Sequence, residues 1–563
     1  MCDVPSSSES VEFRNAVVLD GTGGAPFEAH VHVADGRIQR VSDEPAGADR
    51  EIDLDGSYLA PGFVDMHAHS ELRLLDHPEA AEKLTQGVTT EVLGQDGVSV
   101  APIPERLKAE WADRLEPLDG ATDEPWPWVT IGRYLTELEA AEPAVNVAYY
   151  APHGNLRSLV AEFEDRELSD WEVETLREEL HKALDAGAFG LSTGMIYPPS
   201  SYGRDDELEA LATALGRRKS FMVSHVWNET DQVVGSIERF IDICRRGGCQ
   251  AHISHLKVGG QRNWGKSSAI VTLLDAAESS HSRVTFDQYP YTAGSTMLTA
   301  LLPPWARQGD SEDIKATLQR EEDVRRIADD IGSEGDWENL ARAAGTWENI
   351  LITRTKSGAH QGNTIAEIAE ARDAVQSAAS AAEIDGVDPV EVMCELLVEE
   401  DLDVTMGDFI MSEEDIERFI ADERGTFCTD GIFGGKPHPR AIGTFGRILE
   451  RYVREREVIP VETMVYKAAG HPADILGLDD RGYVREGNVA DLVAFDLADV
   501  SENATYEEPY QLTDGMEYVL VGGSIAVEDG EPTGVAAGEV LRSTEEWGGD
   551  TRPYLDRHDP DEA

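Results

Sequence analysis

The middle of this 563-residue chain alternates short β-branched and apolar runs with amphipathic helical stretches, the pattern of βα units feeding a parallel sheet. Strands are expected at 62–69, 88–93, 145–150, 190–193, 221–225, 250–255 and 284–289. The helix over 170–186 is the most legible of the intervening ones, with Ser169 and Glu172 spaced as a capping box before it and Gly187 to stop it. A (β/α)8 barrel takes about 250 residues, so a chain this long has room for insertions and a second domain. Both ends read as short strands punctuated by turns, at 11–19, 30–34, 37–41 and 51–54, and again at 489–495, 516–521 and 524–527. The expected class is therefore α/β: a (β/α)8 TIM-type barrel over 58–483, with a small β-sandwich domain built from both termini, 1–57 and 484–563. Between 308 and 423 the pattern turns mostly helical and very acidic, an insertion that either covers the barrel mouth or simply adds helices.

Histidines stand at the ends of several of these strands. In PGFVDMHAHS (61–70), His67 and His69 lie two apart, so on a strand they share one face while Met66 and Ala68 point away. Two imidazoles together at the C-terminal end of a barrel strand, the catalytic face of such barrels, bind one metal ion. His225 closes the 221–225 strand and His255 the 250–255 strand, and the four histidines converge if all these strands belong to one barrel. His252, three residues before His255, faces the other way and is structural. Imidazole donors suit zinc, and a catalytic site keeps a position open for water. Asp430, in TFCTDG (426–431), would bring a carboxylate to the last barrel strand, where it can take a proton from water and pass it to a leaving nitrogen; Asp-Gly is equally a common turn.

With these motifs in place the chain resembles the amidohydrolase superfamily, and within it the D-aminoacylase (N-acyl-D-amino acid deacylase) family. The resemblance runs through PGFVDMHAHS (61–70), GVTTEVLGQDGVSVAP (87–102), APHGNLR (151–157), GLSTGMIYPP (190–199), ISHLK (253–257), DQYPYTAGST (287–296), TDG (429–431) and ADILGLDDRGYVREGNVADLVAFD (473–496). It implies a metal-dependent hydrolase of linear amides that releases a carboxylate and a D-amino acid. One or two zinc ions are implied at His67, His69, Asp96, His225 and His255, with Asp430 and Tyr197 catalytic. Asp96 marks a departure: many such deacylases carry Asn-Cys-Gly where this chain has Gln95-Asp96-Gly97. A carboxylate is a harder donor than a thiolate, which makes manganese or cobalt plausible beside zinc. Similar barrels that open cyclic amides use a carbamylated lysine on the fourth strand, and 188–199 holds no lysine. Lys257 and Arg354 are candidates for the substrate carboxylate, with Tyr289 and Ser295 as further contacts. A D-aminoacyl dipeptidase, a hydantoinase-like cyclic-amide hydrolase and an inactive assembly protein on this fold are the alternatives.

Charge narrows the partners. Lys+Arg 48 against Asp+Glu 109 leaves −61, which repels nucleic acid and anionic membranes. The expected partner is a small N-acyl amino acid, and a homo-oligomer is compatible with the sequence. No run nears the roughly 20 apolar residues of a membrane helix, and residues 1–12 hold neither the basic nor the apolar part of a signal peptide. Cys2, Cys244, Cys249, Cys394 and Cys428 form no paired framework, so free thiols in a reducing cytoplasm are expected. Acid spread along the whole chain, with only ten lysines, resembles proteins adapted to concentrated salt. Repulsion within −61 charges is screened beyond about 3 Å at 1 M salt but only beyond about 10 Å at 0.1 M. Activity and melting temperature are therefore expected to fall together on dialysis from molar KCl into dilute buffer. Thermal melts and assays across a salt series check this, and an unchanged melting temperature would refute it.

Overall fold

A computed structural model describes residues 10–120, 126–280, 282–379 and 387–543. Eight parallel strand positions build a closed barrel: Phe63–Asp65, Val88–Leu93, Asn146–Tyr149 continued by Ala151–Pro152, Gly190–Gly194, Phe221–His225, Gln250–Ile253, Val284–Gln288 and Gly425–Phe427. The third strand joins the two halves of the sheet. Asn146–Tyr149 pairs back to Val88–Leu93, and Ala151–Pro152 pairs forward to Gly190–Gly194. Closure comes just past the end of the first strand. Met66 N donates to Phe427 O at 3.2 Å, Asp430 N donates to His67 O at 2.8 Å, and Ala68 bridges Gly431 in parallel. The segment carrying His67 and His69 thus lies beyond the regular strand, yet its backbone is still held on both sides.

A buried ionic cluster ties the same three strands together. Lys83, in the short helix Ala81–Leu84, reaches Asp65 of the first strand at 2.6 Å, Glu91 of the second at 2.7 Å and Thr429 after the last at 2.9 Å. Asp65 in turn accepts from Thr429 N at 2.7 Å. Removing one member of such a cluster leaves an unpaired buried charge, which costs about 3–5 kcal/mol. Along the strands, the residues preceding the histidines are apolar and packed: Val64, Met66, Val92, Tyr150, Phe221 and Val223 form one buried cluster with Ile475 and Leu476.

The strands expected at the two ends assemble into one nine-stranded sheet. Val11–Val18 pairs with Phe27–Ala34 and with Tyr58–Pro61, and Tyr58–Pro61 pairs antiparallel with Leu492–Phe495, followed by Met516–Val521 and Ser524–Glu528. Phe13, Val31, Leu59, Leu492 and Leu520 are buried together against it. This β-rich sheet runs straight into the barrel, because Tyr58–Pro61 precedes Phe63 by a single glycine. Gly62 is needed there: a Cβ would meet the Thr89 side chain at 2.2 Å.

The acidic stretch 308–423 is helical for much of its length, but it also holds two strands that its helical periodicity hid. Ile350–Thr355 and Val404–Asp408 form an antiparallel sheet with Gly294–Met297, which follows the seventh barrel strand. The pairing joins segments over 100 residues apart and brings Ser295 and Asp408 to the barrel mouth. Cys244, Cys249, Cys394 and Cys428 are free thiols; Cys2, residues 1–9 and residues 544–563 lie outside the described residues. No helix among the described residues is long and apolar enough to cross a membrane.

Candidate metal centre

Four imidazoles and two carboxylates converge at the mouth. His67 Nε2 and His69 Nε2 are 3.3 Å apart. Asp96 Oδ2 lies 3.6 Å from each of them, and Asp430 Oδ1 lies 3.6 and 3.4 Å from them respectively. His225 Nδ1 is 3.1 Å from His255 Nε2, which is 3.5 Å from Asp96 Oδ1. Two donor groups result: His67, His69, Asp96 and Asp430 in one, and Asp96, His225 and His255 in the other, all buried. Asp96 is common to both. Its Oδ1 is buried without a hydrogen-bond partner, the condition of a ligand atom rather than of a turn residue.

The backbone at this point is strained. Asp96, Asp430 and His255 have φ of 54°, 47° and 33°, a left-handed region that costs a non-glycine residue about 1–2 kcal/mol. Asp96 is locked between strands, because Gly97 N donates to Ser192 Oγ at 3.2 Å and Gly97 O accepts from Gly154 N at 2.7 Å. In the absence of an ion, carboxylates and imidazoles balance one another's charge. Burial alone would raise the Asp96 carboxyl, yet His67, His255 and His69 hold it well below the carboxylate range. Burial and the Lys257 ammonium oppose charge on His255, while Glu229, Asp430 and Asp96 raise it to about 10. Four imidazoles and two carboxylates, divided between two buried donor groups, are the ligand types that a divalent ion of zinc type takes.

Around this centre stand residues that sequence reasoning did not single out. Glu229, four residues after His225, accepts from Lys257 Nζ at 2.9 and 2.8 Å and faces the outer nitrogens of His255 at 3.2 Å and His225 at 3.5 Å. Asp287 accepts from His255 N at 2.7 Å and meets His252 Nε2 at 2.8 Å, so His252 lies outside both donor groups. Arg440 is fully buried; it pairs with Asp430 Oδ2 at 2.9 Å, donates to Ser295 O at 2.9 Å and stacks over Tyr289 at 4.4 Å. Burial works against ionisation of Asp430, but Arg440 and His67 keep its carboxyl far below the ordinary range.

One cavity is lined by His69, Asp96, His225, His255 and Asp430, and also by Tyr197, Lys257, Tyr289, Ser295 and Arg440. Tyr197 OH is 2.9 Å from Thr296 Oγ1, and Tyr289 OH is buried without a partner. Arg354 is the exception among the expected site residues. It does not line this cavity, and its guanidinium pairs with Asp403 at 2.8 Å and with the Glu116 carbonyl. The strand Ile350–Thr355 lies in the small antiparallel sheet, with Asp403 just ahead of the paired strand Val404–Asp408 to claim the charge; Arg440 is the guanidinium at the centre. In sequence Arg440 follows Asp430 by ten residues in a Gly/Pro-rich loop, where no periodicity marks a direction.

Residues 50–527 match the model of the amidohydrolase family. The chain is 33% identical to an N-acyl-D-glutamate deacylase of Alcaligenes xylosoxydans xylosoxydans, over 93% of this chain and 95% of that one. It is 30% identical to the D-aminoacylase of the same organism, over 96% and 99%. Among solved structures it is similar to the N-acyl-D-glutamate deacylase of Bordetella bronchiseptica complexed with zinc and a phosphonate inhibitor, with a TM-score of 0.78, 30% identity, and coverage of 95% and 99%.

Because Asp96 faces both donor groups, Asp96→Ala is expected to weaken metal binding by more than the roughly 10–100-fold that loss of an outer partner causes. Asp96→Cys should restore binding with a shift toward zinc, a thiolate being the softer donor. Metal analysis and affinity titration of both variants check this; unchanged stoichiometry and affinity in Asp96→Ala would make Asp96 a turn residue.

Proposed function

The chain belongs to the amidohydrolase family, and from that premise we propose that it hydrolyses N-acyl-D-amino acids to a carboxylate and a free D-amino acid. One observation carries the reading. A buried cavity places the shared-carboxylate donor cluster beside Asp430 and, on another part of its wall, the cations Lys257 and Arg440 with Tyr289. His67, His69, Asp96 and Asp430 would hold one ion, and Asp96, His225 and His255 a second; the imidazole-rich set favours zinc, with manganese or cobalt admitted by the hard carboxylate of Asp96. Bound there, such an ion makes water more acidic and polarises the amide carbonyl.

The remaining work falls to the chain's own groups. Asp430, kept ionised by Arg440, takes a proton from the attacking water through the oxygen that faces His69 and delivers it to the departing amine nitrogen. Tyr197, buried against His225 at 5.2 Å between ring centroids, stands where its hydroxyl stabilises the oxyanion. Lys257, Arg440 and the unpartnered Tyr289 hydroxyl hold the α-carboxylate, and so fix which hand of substrate presents its amide to Asp430. Ser295, whose carbonyl binds Arg440, positions that guanidinium. Burial makes these interactions stronger than they would be in water.

In molar salt with zinc added, N-acetyl-D-amino acids are expected to be cleaved and their L-enantiomers not. Asp430→Asn, which leaves an amide oxygen where the carboxylate stood, should still take up metal at saturating zinc but lose about 10²–10⁴-fold in kcat. A stereochemical panel that includes D-dipeptides and hydantoins tests the reading. Equal rates on both enantiomers, or activity confined to the dipeptides or hydantoins, would replace it.

A further inference from the structure

A second cavity adjoins the metal cavity, with Tyr197 and Leu118 lining both. It encloses about 680 Å³ with its open mouth included, and most of its wall is apolar, from Trp111, Leu115, Met297, Ala300, Ile314 and Leu402. Its mouth carries Asp113 and Arg114. None of Lys257, Tyr289, Ser295 or Arg440 lines it.

One charged group sits inside this wall without a counterion. Arg307 is 8% exposed, and its Nη1 donates to Ile196 O at 3.1 Å, one residue from Tyr197. Its Nε is buried with no acceptor, and no carboxylate among the described residues pairs with it. Guanidinium does not lose its proton in proteins, and an unpaired buried charge is strongly destabilising. In a chain with 109 acidic residues, this guanidinium faces a cavity rather than a carboxylate.

The direction of the cavity identifies what enters it. With the α-carboxylate held by Lys257, Arg440 and Tyr289, the acyl carbon lies on the far side of the amide nitrogen. The acyl substituent therefore leaves the metal cavity away from those residues, on the side of Tyr197 and Leu118. We propose that this cavity receives the substrate's acyl group and that Arg307 on its wall binds a carboxylate carried by that group, so that the preferred substrates are half-amides of aliphatic dicarboxylic acids, such as N-succinyl-D-amino acids. The inference rests on the deacylase reading. Water adds across the amide C–N bond, its hydroxyl going to the acyl carbon and its hydrogen to nitrogen, giving the dicarboxylate and the D-amino acid. The apolar wall suits the methylene chain, and Arg307 forms charge-assisted hydrogen bonds to the terminal carboxylate.

The test compares kcat/KM of the zinc-loaded enzyme in molar KCl for N-succinyl-D-alanine and for N-butanoyl-D-alanine, which has the same chain length without the carboxylate. A second arm places the carboxylate on the side chain instead, comparing N-acetyl-D-glutamate with N-acetyl-D-glutamine. Succinyl is expected to exceed butanoyl by about tenfold or more, the scale of a hydrogen bond to a charged group. Arg307→Met should bring that ratio near one through a higher KM for the succinyl substrate, and Arg307→Lys should recover part of it. Equal rates for succinyl and butanoyl, an equal loss on both in Arg307→Met, or an Arg307-dependent preference seen only in the side-chain arm would overturn the proposal. Calorimetric binding of the succinyl and butanoyl compounds to zinc-loaded Asp430→Asn separates the two readings. If no acyl amino acid is hydrolysed the deacylase reading fails, while the Arg307-dependent difference in binding still decides the cavity's ligand.

Discussion

Everything at the barrel mouth depends on one buried carboxylate facing imidazoles from both sides. Asp96 lies within 3.6 Å of His67 and His69 from the first strand and within 3.5 Å of His255 from the sixth. It sits in a left-handed conformation that the adjoining backbone enforces. A buried acidic side chain in that position is tolerable only with positive charge around it. The structure supplies some from imidazoles, and the geometry leaves donor atoms aimed inward for metal. Asp96 belongs to both donor groups, and Gly190–Gly194 offers no lysine.

A surrounding layer of buried charges keeps the donors aligned. Glu229 faces both His225 and His255 from outside while binding Lys257; Asp287 holds the backbone of His255; Arg440 holds Asp430. Away from the cavity, Lys83 joins Asp65, Glu91 and Thr429 and so links the segment bearing His67 to the second strand and to the turn bearing Asp430. A metal held by such donors would need them fixed in place, which this layer of buried charges provides. The chain has only ten lysines, and Lys83 and Lys257 are both buried in these networks.

The insertion completes the site rather than merely covering it. Its strand Val404–Asp408 pairs with Gly294–Met297, with Ile350–Thr355 on its other side, and Ser295 and Thr296 of the paired segment meet Arg440 and Tyr197. Asp408, opposite Gly294 in the register, reaches the same cavity, and burial raises its carboxyl to about 7. The second cavity is likewise walled in part by the insertion, through Ile314 and Leu402. The family's chemistry thus comes from the barrel strands, while the surroundings of the substrate are shaped by segments from outside them.

Local pattern determined the strand–helix alternation, the β-strands at both ends, the capping box at Ser169 and Glu172, and the histidines at strand ends. Those features are written in residues two, three or four apart, the distances over which a strand or helix repeats. The Gln95-Asp96-Gly97 turn could be picked out only through resemblance, since an Asp-Gly pair by itself carries no sign of metal. Tertiary structure alone decided which arginine stands at the centre. Arg354 lies in a strand away from the cavity and pairs there with Asp403; Arg440 opens the helix Arg440–Arg447, past an irregular loop, and meets Asp430 in the cavity. The pairing of Glu229 with Lys257 and the lone charge of Arg307 are of the same kind. Whether a buried charge reaches the cavity, and which opposite charge stands beside it, is set by long-range packing rather than by any local repeat.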